Sequence, residues 1–141
     1  MSGGVGGAYL LRYGPAVQQE LRSSLQNEGL HSVPRGSVVK TTAGGGPYLA
    51  VLHAVGVDAL YATSPEIIAA TLREALRQAA ALGATRIAVA AIGTGYGRMS
   101  AAEFGSAIVS LTKELFPPLA EAMLCVRNVE DFEELSQSIS K

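Results

Sequence analysis

The sequence predicts an α/β domain with helices on both faces of its sheet. Three features carry that prediction. The run Arg86 to Ile92 shows no polar alternation, as suits a strand buried on both faces. Upstream of it, Ser64-Pro65-Glu66 has the form of a helix start: a capping hydroxyl, a proline at the first helical position and a carboxylate near the positive end of the dipole. Downstream, Ser100-Ala101-Ala102-Glu103 is a capping box that opens another helix.

In chain order, Val5, Ala8 and Leu11 and then Val17, Leu21 and Leu25 recur at helical spacing, and Gly14-Pro15 breaks them into two pieces, with Pro15 opening the second. Val33 to Gly36 reads as a turn. Ser37 to Thr42 is β-branched enough for a strand, and after "AGGGP" Tyr48 to Val55 reads as a second, making a hairpin with a glycine-filled connection. The helix opened at Ser64 buries Ile68, Leu72, Ala75, Leu76, Ala79 and Leu82 and stops at Gly83. The one opened at Ser100 lines Phe104, Ile108, Leu111 and Leu115 along one face until Pro117-Pro118. Leu119 to Val126 is a last strand, and Asn128 caps a final helix with Phe132, Leu135 and Ile139 on its inner side.

At 141 residues the chain has the length of one domain, 1–141, able to bury a core without disulfides or metal. It is 48% hydrophobic and only 16% charged, a thinly charged surface that predicts self-association into a homo-oligomer. Eleven basic residues oppose 12 acidic ones with no runs of either sign, so the footprint of a nucleic-acid binder is absent. One cysteine, Cys125, excludes an internal disulfide, and His31 and His53 stand too far apart for zinc spacing. No apolar run reaches the roughly 18 residues of a membrane span, and no leader pattern is read at the N-terminus. The expectation is a cytoplasmic protein without membrane contact, metal or cofactor.

The stretch "AIGTGYGRMS" places glycines at 93, 95 and 97 between a strand and a helix. In an open α/β sheet, ligands sit beyond the carboxyl ends of strands, where the next helix points its free N–H groups. Glycine lets the backbone take positive φ and approach a ligand closely, so that successive N–H groups converge on phosphate oxygens. The pattern is neither a dinucleotide fingerprint nor a Walker loop. A second glycine segment, "SGGVGGA", also precedes a helix, so Gly3, Gly4, Gly6 and Gly7 have the same opportunity. A lone glycine string is better explained by tight packing; two before two helices fit a clamp.

At these two segments the sequence resembles the macro domain family, which binds ADP-ribose. "GGVGGAYLLRYGP" is similar to that family's first loop and helix, "YLAVLHAVG" to its strand ending in His-Ala/Thr-Val-Gly, and "RIAVAAIGTGYGRMS" to its strand and diphosphate loop. The likeness runs from about Gly3 to Phe132. It implies a three-layer α/β/α sandwich with a mixed sheet. It also implies that Gly3, Gly4, Val5 and Gly6 approach the distal ribose and phosphates, and that Gly93, Thr94, Gly95, Tyr96 and Gly97 wrap the diphosphate. Arg98 and Met99 fall where the family has a glycine and an aromatic at the ribose. Arg127 or Asn128 replaces an adenine-stacking aromatic. The family's opening strand, adenine-reading Asp and Asn-bearing central strand find no counterpart after Met1. The likeness therefore implies an upstream start, neighbours that close the gap, or a strand supplied by another chain. The hydrolase branch's Asp is replaced by Gly6.

No catalytic residue is assigned. His53 ends an apolar strand without a carboxylate nearby in sequence and reads as a core histidine hydrogen-bonded to backbone. Cys125, in "AMLCV", reads as a buried thiol. Tyr96, between glycines, must either cover a ligand or fold onto the domain. "TTAGGGPY", joining two strands, reads as a flexible turn rather than a third phosphate loop. Asp58 is the acidic residue near the expected ligand rim, solvated by default. The leading expectation is binding of ADP-ribose or a related nucleotide. The alternatives are an ADP-ribosyl hydrolase, with an ADP-ribosylated protein as further partner, and a structural assembly module that binds no nucleotide.

Overall fold

A computed structural model describes residues 4–141. Two helices open the chain, α1 (Gly4–Tyr13) and α2 (Ala16–Asn27), separated at Gly14, whose φ of +83° breaks the first. Strands β1 (Val38–Thr41) and β2 (Val51–Ala54) form the expected antiparallel hairpin, with Val39 opposite His53. Its glycine turn is packed rather than flexible. A Cβ on Gly44 would meet Val17 Cγ2 at 2.9 Å, and one on Gly46 would run into the Tyr9 hydroxyl of α1. That hydroxyl donates to the Ala43 carbonyl, while the Glu20 carboxylate accepts from the Thr42 amide at 2.9 Å and from the Thr42 hydroxyl.

Helix α3 (Pro65–Ala81) starts as the sequence predicts, with the Ser64 hydroxyl accepting from the Ile67 amide at 3.3 Å. Strand β3 (Arg86–Ala90) follows and pairs in parallel with β4 (Glu121–Cys125), Val89 opposite Leu124. Between them α4 (Ala101–Ile108) is opened by the expected capping box, closed in both directions at 2.7 and 3.1 Å. Helix α5 (Val129–Ile139) ends the chain.

The core is helical. Ile68 and Leu72 of α3, Phe104 and Ile108 of α4 and Leu135 of α5 are buried together, and Phe104 is fully buried. Several expected core positions lie elsewhere. Helix α4 ends at Ile108, and the chain continues as a short 3-10 turn (Leu111–Lys113), leaving Leu115 89% exposed. Phe132 is exposed although Leu135, one turn on, is buried. Helix α1 buries no residue, and Leu11 is 91% exposed.

The sheet also departs from expectation. The antiparallel and parallel pairs supply the mixed topology, but among the described residues they stand as two two-stranded pieces, β1-β2 and β3-β4. The uninterrupted apolar run of β3 is therefore not buried on both faces: its residues are half-buried or exposed. Strand β4 has an open outer edge, so Cys125 is exposed rather than a buried thiol. The nearest acceptor to its Sγ is the Met123 carbonyl, at 3.8 Å.

Candidate nucleotide-binding site

The loop Gly93–Met99 leaves the end of β3 and feeds the N-terminus of α4. It is held by its own backbone. The Met99 amide donates to the Gly93 carbonyl at 3.0 Å and the Arg98 amide to the Gly95 carbonyl at 3.1 Å, while the Thr94 hydroxyl donates to the Ala91 carbonyl at 2.6 Å. Gly93 has φ +84°, and a Cβ on Gly97 would lie 2.5 Å from the Gly93 oxygen and 2.9 Å from Val57 Cγ1, so both positions need glycine. Arg98 also sits at φ +57°, a conformation that costs a non-glycine residue roughly 1–2 kcal/mol. Three consecutive amides, those of Gly95, Tyr96 and Gly97, have no acceptor among the described residues. Gly95 and Tyr96 are exposed and Gly97 is half-buried, in the loop that follows a strand end. Such a run is a ready anion cradle.

Tyr96 stacks on another exposed side chain, Tyr61, at a centroid distance of 5.2 Å and an interplanar angle of 28°. Tyr61 was not visible as a site residue in the sequence, because it lies 35 positions away and stands at φ +60°. Asp58 holds it there. One carboxylate oxygen accepts from the Leu60 and Ala62 amides at 2.8 and 2.9 Å, and the other faces Arg35 at 3.4 Å. The backbone N–H groups keep the Asp58 carboxyl below its ordinary range, with Arg35 adding to the effect. Asp58 is thus a loop anchor rather than a merely solvated side chain. Beside Gly93, Thr63 presents a buried hydroxyl oxygen that lacks a partner among the described residues, a second group that sequence patterning does not single out.

The remaining expected residues divide. Gly3 lies outside the described residues. Gly4, at φ +57°, opens α1, whose first amides have no intrahelical acceptor. Val5 and Gly6 line a cavity that Ile92 also lines, but that lining takes nothing from Gly93–Met99. Met99 packs its side chain into the core, and Arg98 stays exposed. Asn128 spends its side-chain oxygen on capping α5, accepting from the Asp131 amide at 2.8 Å, and Arg127 is exposed. His53 is hydrogen-bonded to a side chain rather than to backbone. Its Nε2 lies 2.9 Å from the Thr41 hydroxyl, whose oxygen also lies 2.9 Å from the Thr42 carbonyl. Burial pushes the His53 pKa down. Among the described residues no group of three His, Cys, Asp or Glu side chains is placed to hold a metal ion, and no helix is long and apolar enough to cross a membrane.

A glycine loop at a strand end, ahead of a capped helix in an α/β chain, fits the resemblance drawn from the sequence. A family model for the macro domain matches residues 1–108. The chain belongs to the macro domain family. A macro domain-containing protein of Streptomyces coelicolor is 34% identical to it over 134 residues, 92% of this chain and 79% of the relative. Another, from the sno 5' region of Streptomyces nogalater, is 42% identical over 97 residues, which is 66% of this chain and 52% of the relative. A third, from Streptomyces griseus, matches over 53% of its own length, so this macro domain chain spans about half the length of these two relatives. Among solved structures, the Oceanobacillus iheyensis macrodomain with ADP is similar at a TM-score of 0.86 and 20% identity, over 98% of this chain and 75% of that one. A variant of that macrodomain with ADPR gives 0.85 at 19% identity, over 98% and 77%. The α/β macro fold of this chain is shown by these likenesses.

Proposed function

We propose that this macro domain binds ADP-ribose or a closely related nucleotide, with the diphosphate seated on the amides of Gly95, Tyr96 and Gly97. The observation that carries the reading is the run of three unengaged amides in a loop fixed at both ends. Donors already in place lose little entropy when an anion arrives, and the N-terminus of α4 adds a favourable field. Family membership and the neighbours solved with ADP and ADPR support the same ligand class. The glycine-led start of α1 is the proposed second jaw, and Tyr96, carried on Tyr61, is the proposed cover over the bound ribose or phosphate. Binding is favoured over hydrolysis because Gly6 offers no carboxylate and the Asp58 oxygens are engaged by backbone and Arg35.

Calorimetric titration with ADP-ribose tests this. One site per chain is expected, with Gly97→Ala weakening it at least tenfold while the circular dichroism of the fold is kept, because the added Cβ forces the loop off the Gly93 carbonyl. Absence of heat at millimolar ligand with folded protein overturns the reading and favours an assembly module. Release of ADP-ribose from a modified protein overturns binding alone in favour of hydrolysis.

A further inference from the structure

The five tyrosines of the chain fall into two groups. Tyr9, Tyr13 and Tyr48 form one, and two of its members are guarded against oxidation. The Tyr9 hydroxyl donates to the Ala43 carbonyl, an acceptor that cannot carry a proton away. The Arg12 guanidinium lies 5.6 Å from the Tyr13 ring centroid, where its charge opposes removal of an electron. Tyr48 meets these two rings at 6.1 and 6.2 Å, the second edge-on at 89°. Tyr61 and Tyr96 form the other group. Their rings lie within 28° of parallel at 5.2 Å, and at 55% and 65% exposure both stand open to water. With flat rings about 3.5 Å apart, that centroid distance means a lateral offset of about 4 Å, so the rings meet near their edges rather than face over face. Both stand on held backbone. The Asp58 carboxylate fixes the turn that carries Tyr61, and the bonds from Met99 to Gly93 and from Arg98 to Gly95 pin the loop that carries Tyr96. A Cβ on Gly95 would meet nothing within 4 Å, which leaves Tyr96 room for a small slide.

We propose that Tyr61 and Tyr96 form an oxidative modification site, at which a one-electron oxidant joins the two rings into dityrosine. The oxidant is of the class of a haem peroxidase consuming hydrogen peroxide. Each phenol gives one electron to the oxidised haem and its O–H proton to water. The two radicals then pair their electrons in one new C–C bond between a ring carbon of each that neighbours the C–O carbon. A ring flip presents either such carbon, because the terminal torsion of tyrosine is broad and two-fold. Each bonded carbon loses its proton while each oxygen regains one, which restores both phenols. The peroxide takes up two electrons and two protons and leaves as two waters, so the chain ends lighter by two hydrogen atoms. Because the radicals are held side by side, coupling within the chain outruns encounter between chains. The bond fastens the loop of the unengaged amides to the turn that Asp58 anchors, a covalent lock across two segments 35 positions apart in sequence.

The test treats the whole chain with a haem peroxidase and a small excess of hydrogen peroxide, and in parallel with photogenerated ruthenium(III) tris-bipyridine, a small oxidant that needs no docking. The expected product is a single chain with the blue fluorescence of dityrosine. Trypsin, cutting after Lys40, Arg73, Arg86 and Arg98, is expected to release residues 41–73 and 87–98 joined and lighter by two hydrogen atoms. The first of these peptides also holds Tyr48, so Tyr48→Phe should keep the product. Tyr61→Phe and Tyr96→Phe, which keep the rings and whose folding is checked by circular dichroism, should each lower its yield at least tenfold. Absence of the joined peptides with both oxidants overturns the proposal. A product that survives Tyr61→Phe, a bond from Tyr96 to any other residue, or coupling only between chains overturns it as well. No nucleotide enters the assay, so its outcome is independent of ADP-ribose binding.

Discussion

His53 is a half-buried imidazole whose Nε2 is hydrogen-bonded to the Thr41 hydroxyl, and burial disfavours its charged form. An unfolded histidine titrates near 6.5, and this one titrates lower in the fold. Between those values the unfolded chain binds a proton that the native state does not, so stability is complete above about pH 6.5 and falls as pH drops through the window. The carboxylates of Glu20, Asp58, Glu103 and Glu114 are all held below their ordinary range, so the stability they contribute is lost at lower pH, where unfolded carboxylates take up protons, and not across this window. Urea unfolding between pH 5 and 7.5 should show the loss, and His53→Gln should flatten it. An unchanged slope in the variant would mean that another group is responsible. At this scale the sequence revealed residue types but not partners. His53 and Thr41 lie 12 positions apart and meet only because β1 and β2 pair, and Tyr61 reaches Tyr96 only through the turn that Asp58 anchors.

Helix starts were the most legible elements, because a cap is local chemistry: Ser64, Ser100 and Asn128 each bond the amide three residues on. Burial was legible only where periodicity met a real neighbour. The Phe104 stripe holds for two turns and then fails at Leu115, and the α1 stripe of Val5, Ala8 and Leu11 is exposed. The tightest joint between elements is one that periodicity does not flag. Gly105 of α4 sits where a Cβ would lie 2.6 Å from Ser138 Cβ and 3.1 Å from Leu135 Cδ1 of α5. Gly105→Ala gains about 1 kcal/mol of helix propensity but must push the helices apart, an overpacking cost of about 1–3 kcal/mol. Net destabilisation is expected in urea titration. A double-mutant cycle with Ser138→Gly should show coupling of about 1 kcal/mol or more, because the closest contact, the one to Ser138 Cβ, is then gone. Additive effects would place the strain elsewhere.

Across the whole molecule, the residues that bury most completely are on helices, Thr41 of β1 excepted, whereas the rest of the strand residues of this α/β fold are half-buried or exposed. The α3–α4–α5 cluster closes around Phe104 with Ile68, Leu72, Ile108 and Leu135, while the β1-β2 hairpin is tied to the rest by separate polar links: Glu20 to Thr42, Gln78 to the Val38 carbonyl at 3.3 Å, and the Tyr9 hydroxyl to Ala43. Such links offer less free energy than a shared apolar core, because each exchanges one hydrogen bond with water for one within the protein. Native-state hydrogen exchange should therefore resolve two levels. The amides of α3 and α4 are expected to exchange only through global unfolding. Those of Val38–Thr41 and Val51–Ala54 are expected to open at lower free energy and to respond more weakly to urea, since a hairpin that buries little exposes little on opening. Protection of β2 equal to that of α3, with the same urea dependence, would show that the two half-sheets already act as one cooperative unit.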